Sequence, residues 1–454
     1  MKSIANRSSV IYALVIAFIA GVGFLLFSFY KYGNEWATDR TNRHIYSNRT
    51  VTNAGTIFDR NGIVLAKSEN GKRYFSDDKQ VRKAVLHIVG DTSGFISTGT
   101  HTLFDDLLIG YTRINGIYSL TKKGTGNDIV LNIDAGACKA AYNAFGDYNG
   151  AVAVYNYKTG ELLCSVSRIS YDPHNVPDNL RTDEKYEGVF IDRVVSGLYT
   201  PGSIMKIITA ASAIENIPDI YEQKFVCSGE YKTGDGKVVC NGVHGEIDFQ
   251  KAMNESCNCA FANISIQLGA EKILETAQKF GFNKKINAKD VPLAKSTFYP
   301  DSNSKTELAW AGIGQSTTLV NPCHFLTIIG CIANEGHGFA PDRIKTTGSA
   351  VIKRMPQEII SIEPEIANKL NALLRSNVQD KYGDNKFQGL VMCGKTGTAE
   401  IDGAKSHSWF AGYSMNSEFP LAAICIAENA GWGSGAALNI CNTVLHYFLN
   451  NGIS

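Results

Sequence analysis

The sequence has no excess of charge of either sign. Its 454 residues include 44 lysines and arginines against 43 aspartates and glutamates, a formal net charge of +1. This balance gives no electrostatic reason to expect nucleic acid as a partner. The apolar fraction of 44% is ordinary for a globular protein, and the length is sufficient for two or three domains.

The chain also lacks the usual short metal-binding motifs. No C-x-x-C pair occurs, and the nine histidines are dispersed without an H-E-x-x-H pair, so we expect no metal site and no cofactor. The eleven cysteines are an odd number. Cys227 and Cys240 flank a glycine-rich turn that could bring them together, and a disulfide between them is left open.

One long apolar run lies near the N-terminus, where residues 10–30 read VIYALVIAFIAGVGFLLFSFY. Its length matches the roughly 20 residues with which a helix spans a bilayer. Lys2 and Arg7 precede it, so the positive-inside rule places residues 1–9 in the cytoplasm and the later chain outside. A cleaved signal peptide is the alternative, but its apolar core would be shorter, about 7–15 residues. We therefore predict an uncleaved single-pass anchor.

Two domains are predicted after the anchor. Residues 31–126 begin as a polar stalk and continue as a small membrane-proximal α+β domain, with a hairpin turn at Asn61–Gly62. In residues 127–454, strands are predicted at 151–155, 161–166, 390–393, 408–413 and 421–427. Two strands early and three late, with helices between them and at both ends, predict one antiparallel sheet flanked by helices. This is an α+β fold.

A serine and a lysine three residues apart, in the stretch TPGSIMK, open an apolar helical run. Pro201 suits the first turn of a helix, and Thr200 can cap it. Positions i and i+3 are neighbours on a helix, so the Lys206 amine can reach the Ser203 hydroxyl and activate it, provided that burial lowers the lysine pKa. The alternative is a capping serine beside a surface lysine, because S-x-x-K often occurs by chance.

Two further motifs follow downstream. Asp248 can cap a helix that runs towards Ser256 and Asn258, which share a pocket only if they lie on a turn between helices. The alternative is that Asn258 caps the next helix. The stretch GKTGT at residues 394–398 follows a strand, and on an edge strand it suits carboxylate and oxyanion binding. A plain turn at the end of the strand is the alternative there.

In the order S-x-x-K, S-x-N and K-T-G, the three motifs are typical of class A β-lactamases and penicillin-binding proteins. The chain resembles a class B penicillin-binding protein, the monofunctional transpeptidases of bacterial cell-wall synthesis. The likeness covers nearly the whole chain and includes AGTIFDRNGIVLA, GAVAVYNYKTGELLCSVS, SYDPHNV, LYTPGSIMK, HGEIDFQKAMNESCNCAF and HSWFAGY. Two positions depart from the usual pattern and leave the subfamily open: Ala54 in place of arginine and Ser316 in place of glycine.

The resemblance implies a role for each residue of the first two motifs. Ser203 would be the acylated nucleophile and Lys206 its base. Ser256 would relay protons, and Asn258 would hold the peptide of the substrate.

The third motif would bind the donor substrate. By the same resemblance, Lys395 and Thr396 would bind its terminal carboxylate, and Gly397 and Thr398 complete the substrate-binding segment. The backbone N–H groups of Ser203 and Thr398 would form the oxyanion hole.

The implied reaction is acyl transfer. Ser203 would attack the D-Ala-D-Ala bond of a peptidoglycan stem peptide, release D-alanine and pass the acyl group to an amine of a neighbouring strand. β-Lactam antibiotics would acylate the same serine. Residues 31–126 are short and lack a paired-carboxylate motif for a glycosyltransferase, so a membrane glycan-strand polymerase is the expected partner.

Three alternatives remain at this stage: a D,D-carboxypeptidase or β-lactamase, a β-lactam receptor, and a non-catalytic scaffold. No glutamate of residues 259–394 lies in the E-x-x-L-N setting of class A β-lactamases. Only nine residues precede the anchor, whereas a receptor needs a larger cytoplasmic module. A scaffold would not be expected to retain all three motifs.

Overall fold

The computed structural model describes residues 2–37, 39, 46–47, 50–51, 53–110, 126–347, 354–401, 403–431 and 435–453. Its α-helices are α1 Lys2–Ala37, α2 Lys79–Ala84, α3 Leu86–Val89, α4 Thr100–Leu103, α5 Asp105–Leu108, α6 Ala135–Ala144, α7 Lys206–Asn216, α8 Phe249–Asn254, α9 Asn258–Lys279, α10 Lys305–Ile313, α11 Pro322–Ala333, α12 Pro364–Asn377 and α13 Ala436–Asn451. Short 3₁₀ turns are Glu184–Tyr186, Gly202–Ile204 and Asp384–Phe387, and Val378–Tyr382 is a π-helical turn.

Its strands are β1 Tyr46–Ser47, β2 Thr50–Val51, β3 Ile57–Phe58, β4 Val64–Glu69, β5 Lys72–Phe75, β6 Ile129–Leu131, β7 Gly150–Asn156, β8 Leu162–Arg168, β9 Lys224–Cys227, β10 Glu230–Lys232, β11 Lys237–Val239, β12 Gly245–Asp248, β13 Asn287–Ala288, β14 Val291–Pro292, β15 His337–Phe339, β16 Ile344–Thr347, β17 Glu358–Ser361, β18 Met392–Ala399, β19 His407–Ser414 and β20 Leu421–Ala427.

The central sheet is antiparallel and has the strand order β18-β19-β20-β7-β8. Every residue of β7 and β20 is buried, because helices α6, α11 and α13 pack against this sheet and cover its faces. Strands that are apolar throughout are expected where both faces of a sheet are covered. The predicted antiparallel sheet with flanking helices, and hence the α+β fold, is confirmed. Its edge strand β18 carries the third motif.

A second five-stranded sheet has the order β16-β6-β3-β4-β5. The predicted hairpin is confirmed, since β3 and β4 pair antiparallel on either side of Asn61–Gly62. Strands β6 and β16, from beyond residue 126, complete this sheet, with β3 and β6 parallel. The division into domains at residue 126 stays a prediction. Residues 111–125 of the predicted membrane-proximal domain and residues 40–45 of the predicted stalk lie outside the described residues.

The N-terminal apolar run forms part of the long helix α1. Within it, residues Ser8–Gly33 are long and apolar enough to cross a membrane, with a mean hydropathy of 2.7. None of the residues in its most apolar 18-residue window is buried by the part of the chain that the structure describes. The predicted span of residues 10–30 lies inside it, and a membrane anchor is the role that fits such a helix.

Helices α7, α9 and α10 pack against one another, and the 3₁₀ turn Gly202–Ile204 before α7 contacts strand β18 of the central sheet. Helix α8 begins as predicted, because the Asp248 side chain caps it by accepting a hydrogen bond from the Lys251 N–H at 2.8 Å. Between α7 and α8, the short antiparallel pairs β9–β12 and β10–β11 form a small β-unit. This β-unit borders the start of α9, next to the second motif.

Candidate active site

Ser203 lies in the 3₁₀ turn Gly202–Ile204, directly before α7. Gly202 has a φ of +54°, and a Cβ at this position would lie 2.2 Å from the Thr398 carbonyl oxygen. Only glycine permits this close approach, which holds the serine turn against the edge strand β18. The Gly202 N–H also donates to the Gly314 carbonyl oxygen at 2.8 Å. The serine is therefore placed by contacts on two sides.

The predicted start of this helix was wrong in detail. The helix begins at Lys206 rather than at Pro201, and the Thr200 side chain does not cap it. Instead, the Thr200 carbonyl oxygen accepts a hydrogen bond from Trp409 Nε1 at 3.0 Å. The close packing of the glycine turn on β18 favours a tighter 3₁₀ geometry here over a regular helical start.

The Lys206 side chain is completely buried. Its Nζ donates to the Ser256 carbonyl oxygen at 2.6 Å, to Ser256 Oγ at 3.2 Å and to Asn258 Oδ1 at 2.7 Å. Burial lowers its pKa from 10.5 to about 8, because the cost of removing the ammonium from water outweighs the favourable charges of the nearby Cys257, Cys240 and Cys259. Among the described residues, the Ser203 hydroxyl is not one of its acceptors, so the predicted direct contact is replaced by a contact with the second motif.

Ser256 lies on the turn between α8 and α9, as the sequence predicted, whereas Asn258 is the first residue of α9 rather than part of the turn. Ser256 adopts a left-handed φ of +52°, which turns the chain so that both side chains border one cavity. The alternative role of Asn258 as a helix cap is wrong. The cap of α9 is Cys257, whose Sγ accepts from the Ala260 N–H at 3.4 Å.

The third motif lies inside β18 rather than after a strand, so the predicted strand ended too early and the plain-turn alternative is wrong. Lys395 is 1% exposed, and its Nζ donates to the Thr396 carbonyl oxygen at 3.3 Å. The Lys395 pKa lies well below its ordinary value, mainly because the amine is buried and secondly because the positive charge of Lys206 is nearby. No carboxylate of the described residues pairs with this lysine. A buried cation without a counter-ion favours the arrival of an anionic ligand.

Tyr382 supports the third motif and was missed at the sequence level. Its hydroxyl oxygen accepts from the Thr396 N–H at 2.9 Å and lies 2.9 Å from Thr396 Oγ1. Asn377 Nδ2 donates both to this hydroxyl, at 3.0 Å, and to the Gly394 carbonyl oxygen, at 2.6 Å. No local pattern marks either residue, because their partners lie on another element.

The π-helical turn Val378–Tyr382 also contacts the residues just before Ser256. Asp380 Oδ2 accepts from Asn254 Nδ2 at 2.6 Å, and Lys381 forms an ion pair with Glu255. One turn of five residues therefore connects the end of α8 with β18. Such π-turns are often found at functional sites.

The three motifs meet at one cavity of about 180 Å³. Its lining residues are Ser203, Asn241, Ser256, Asn258, Trp310, Ile313, Gln315, Thr396, Thr398 and Glu400. The sequence predicted the serines, Asn258 and the threonines among these, but not the other five. Gly397 contacts the serine turn from behind, since a Cβ there would lie 2.9 Å from the Pro201 carbonyl oxygen.

The cysteine pair left open by the sequence is close in space but unbonded. Cys227 and Cys240 are free thiols, and both Sγ atoms face His244 Nδ1, at 3.3 Å and 3.6 Å. Cys257 joins them, with its Sγ 3.9 Å from that of Cys240. Cys240 and His244 share one loop, but Cys227 and Cys257 are each 13 residues from the nearest of these two, so no short motif indicates the group.

This fold, with two serines, an asparagine and the threonines of an edge strand around one cavity and two buried lysines, is that of the penicillin-binding transpeptidases. The sequence model of the penicillin binding protein transpeptidase domain matches residues 150–446. The match covers more than half of the chain, and the chain belongs to this family. The predictions of the family, of the fold class and of a transpeptidase enzyme are confirmed.

Among curated proteins, the chain is similar to the peptidoglycan D,D-transpeptidase PbpA of Mycolicibacterium smegmatis, with 25% identity over 375 residues. This match covers 74% of the chain and 76% of the relative. Penicillin-binding protein 3 of Bacillus subtilis is 26% identical over 377 residues, covering 77% of the chain and 56% of that protein. The chain thus spans about half the length of the second relative.

Among solved structures, the chain is similar in fold to the D,D-transpeptidase domain of a peptidoglycan glycosyltransferase from Eggerthella lenta. The TM-score is 0.77 at 24% identity, and the match covers 89% of this chain and 100% of that one. A structure of the penicillin-binding protein PBPA from Mycobacterium tuberculosis gives the same TM-score at 22% identity, covering 87% and 99% of the two chains. At these identities the likeness shows the fold.

Proposed function

We propose that this protein is a membrane-anchored peptidoglycan D,D-transpeptidase that cross-links stem peptides through an acyl-enzyme on Ser203. One observation carries the proposal. The first two motifs, which are 53 residues apart in sequence, are joined by the buried Lys206 amine at the edge of the same cavity that Thr396 and Thr398 line. Relatives with the printed name peptidoglycan D,D-transpeptidase support the same reaction.

In the acylation step, Ser203 Oγ attacks the carbonyl carbon of the penultimate D-alanine of the donor peptide. Its proton passes to the neutral Lys206 amine through Ser256 Oγ, which lies 3.2 Å from Lys206 Nζ. The C–N bond then breaks, and the amine of the terminal D-alanine leaves with a proton. The donor remains as an ester on Ser203.

Binding of the donor relies on the third motif. Its terminal carboxylate would neutralise the buried Lys395 and accept a hydrogen bond from Thr396 Oγ1, which removes the cost of a buried, unpaired cation. The backbone N–H groups of Ser203 and Thr398, on the two chain segments that touch at Gly202, would bind the oxyanion. Asn258, fixed by its hydrogen bond to the Val239 carbonyl oxygen, would hold the peptide.

In the second step, an acceptor amine attacks the ester, the bond to Ser203 breaks, and the proton of the amine returns to Ser203 Oγ. A D,D-carboxypeptidase or β-lactamase would use water instead. One observation favours testing this hydrolytic alternative. The carboxylate of Glu400 lines the cavity, and a carboxylate can activate water. The stem-peptide substrate and the acceptor amine are both part of the proposal.

The location follows from the N-terminal helix. We place residues 1–9 in the cytoplasm and the catalytic region outside the membrane, where a glycan-strand polymerase would be its partner. Every native cysteine is buried, so topology can be tested with an introduced thiol, Ser302→Cys, and a membrane-impermeant maleimide on intact cells. Labelling only after the cells are broken open would contradict this placement.

Acylation is tested on the full-length protein in detergent, by intact-mass analysis after treatment with penicillin. We expect a single adduct that disappears in Ser203→Ala and persists in the exposed-serine control Ser302→Ala. An adduct that survives Ser203→Ala would overturn the assignment of the nucleophile.

The fate of the acyl group separates the transpeptidase from its alternatives. We expect the penicillin adduct to persist for much longer than seconds, both in the wild type and in Glu400→Gln. With a stem-peptide donor and a D-amino acid acceptor, exchange of the terminal D-alanine should exceed hydrolysis. Turnover at about 1–1000 per second that collapses in Glu400→Gln would identify a hydrolase and overturn the proposal.

A further inference from the structure

We propose that Cys227, Cys240, His244 and Cys257 form a structural Zn²⁺ site that fixes the second motif. Their ligand atoms, three sulfurs and one imidazole nitrogen, all lie within 4.8 Å of one another. The four residues come from the end of β9, the residue after β11, the loop before β12 and the cap of α9. This proposal replaces the expectation of no metal site that the sequence motifs suggested.

The distances fit a single tetrahedral ion. With Zn–S bonds of about 2.3 Å and Zn–N bonds of about 2.0 Å, the ligand atoms are about 3.8 Å apart between sulfurs and about 3.5 Å apart between sulfur and nitrogen. Here Cys240 and Cys257 Sγ are 3.9 Å apart, and His244 Nδ1 lies 3.3 Å and 3.6 Å from two sulfurs. Three thiolates and one imidazole in this arrangement select zinc.

A disulfide explains the same residues less well. It would have to bring two sulfurs from 3.9 Å to about 2.05 Å, and it would leave one thiol and His244 facing each other without a function. A metal ion uses all four groups at once. All four ligand positions are supplied by the protein, so the site is closed, as in structural rather than catalytic zinc sites.

The backbone around the sulfurs is already arranged for thiolates. The Asn258 N–H donates to Cys240 Sγ at 3.2 Å, and the Ala260 N–H donates to Cys257 Sγ at 3.4 Å. Both donors belong to the first turn of α9, where the helix dipole favours negative charge. Binding of Zn²⁺ releases the three thiol protons, keeps the imidazole neutral and leaves a net charge of −1 at this helix end.

The site is connected to catalysis through the chain itself. Cys257 is the residue between Ser256 and Asn258, and among the described residues these two provide the three acceptors of the Lys206 amine. A metal that holds Cys257 and Cys240 therefore fixes the turn with the left-handed Ser256 and orients the lysine. Loss of the metal should reduce acylation without changing any residue that contacts the substrate.

The metal is measured first, on the full-length protein purified in detergent. Elemental analysis should give about one zinc per chain, equally in the wild type and in Ser203→Ala, so this result does not depend on the proposed function. X-ray absorption of the wild type should show three sulfurs and one nitrogen around zinc, which needs no variant to fold. A zinc spectrum of oxygen and nitrogen ligands alone would overturn the proposal.

Variants then test the ligands. Cys240→Ser and His244→Ala should lose most of the bound zinc and lower Tm, whereas Cys138→Ser, at a buried cysteine elsewhere in the fold, should keep its zinc. Removing zinc from the wild type with a chelator should slow acylation by fluorescent penicillin, and added ZnCl₂ should restore the rate. Two outcomes would refute the site: peptide mapping that finds a Cys240–Cys257 disulfide in the active protein, or zinc content unchanged in both ligand variants.

Discussion

The buried lysine of the first motif makes a quantitative prediction about pH. Lys206 has its pKa lowered from 10.5 to about 8 by burial, a change of about 3 kcal/mol in favour of the neutral amine. At pH 7 about one enzyme in ten would then carry a neutral amine, against about one in three thousand for an ordinary lysine. Burial thus increases the population of competent base by about 300-fold.

The direction of the pH dependence of acylation follows from the role of Lys206 as a base. Below pH 8 the amine is protonated and cannot accept the Ser203 proton, so the second-order rate of acylation should fall about tenfold for each pH unit. Above pH 8 the rate should level off. The assay is stopped-flow acylation of the full-length protein by a fluorescent penicillin between pH 5.5 and 9.5, with a thermal melt at each pH to exclude unfolding.

Two variants test the same reasoning. Lys206→Arg should abolish acylation at every pH in this range, because a guanidinium stays protonated and is no base. The mutation Lys279→Arg, on the exposed end of α9, is the matched control and should leave the profile unchanged. A rate that is independent of pH in the wild type, or one that keeps rising up to pH 9.5, would refute the assignment of Lys206 as the base.

Three further predictions concern the residues around β18. Gly202→Ala should lower acylation by more than 100-fold, because its Cβ would lie 2.2 Å from the Thr398 carbonyl oxygen and push the serine turn off the strand. Tyr382→Phe leaves the Thr396 N–H without its acceptor, at a cost of about 1–3 kcal/mol, and should weaken donor binding, seen as a raised KM for a stem-peptide donor. Lys395→Met should raise that KM strongly while Tm is unchanged or higher, because the variant removes a buried cation that has no carboxylate partner among the described residues.

The first two of these predictions have a matched control, and the third has a stated contrary outcome. Gly234 also has a positive φ, but a Cβ there would meet no other atom. Gly234→Ala should therefore lower stability slightly and leave acylation unchanged. Tyr148→Phe, at an exposed tyrosine, should leave KM unchanged. If Lys395→Met lowered Tm without raising KM, the lysine would be a structural residue rather than the partner of the substrate carboxylate.

Local pattern alone determined much of this protein. Periodicity of two and turn residues predicted the hairpin at Asn61–Gly62 and the strands of the central sheet, because these signals act over a few neighbouring residues. The Asp248 cap is equally local. The order and chemistry of the three motifs predicted the family, since acyl transfer requires a nucleophile, a base and a carboxylate site.

The tertiary structure alone decided how those parts meet. The amine of Lys206 lies on Ser256 and Asn258, about 50 residues away, rather than on its helical neighbour, because burial and polar acceptors outweigh sequence proximity. The tertiary fold likewise places the Tyr382 hydroxyl against the Thr396 N–H and brings three cysteines together with His244. Most of these contacts join residues that are between 14 and about 50 positions apart, so they depend on how the chain folds back on itself rather than on a local pattern.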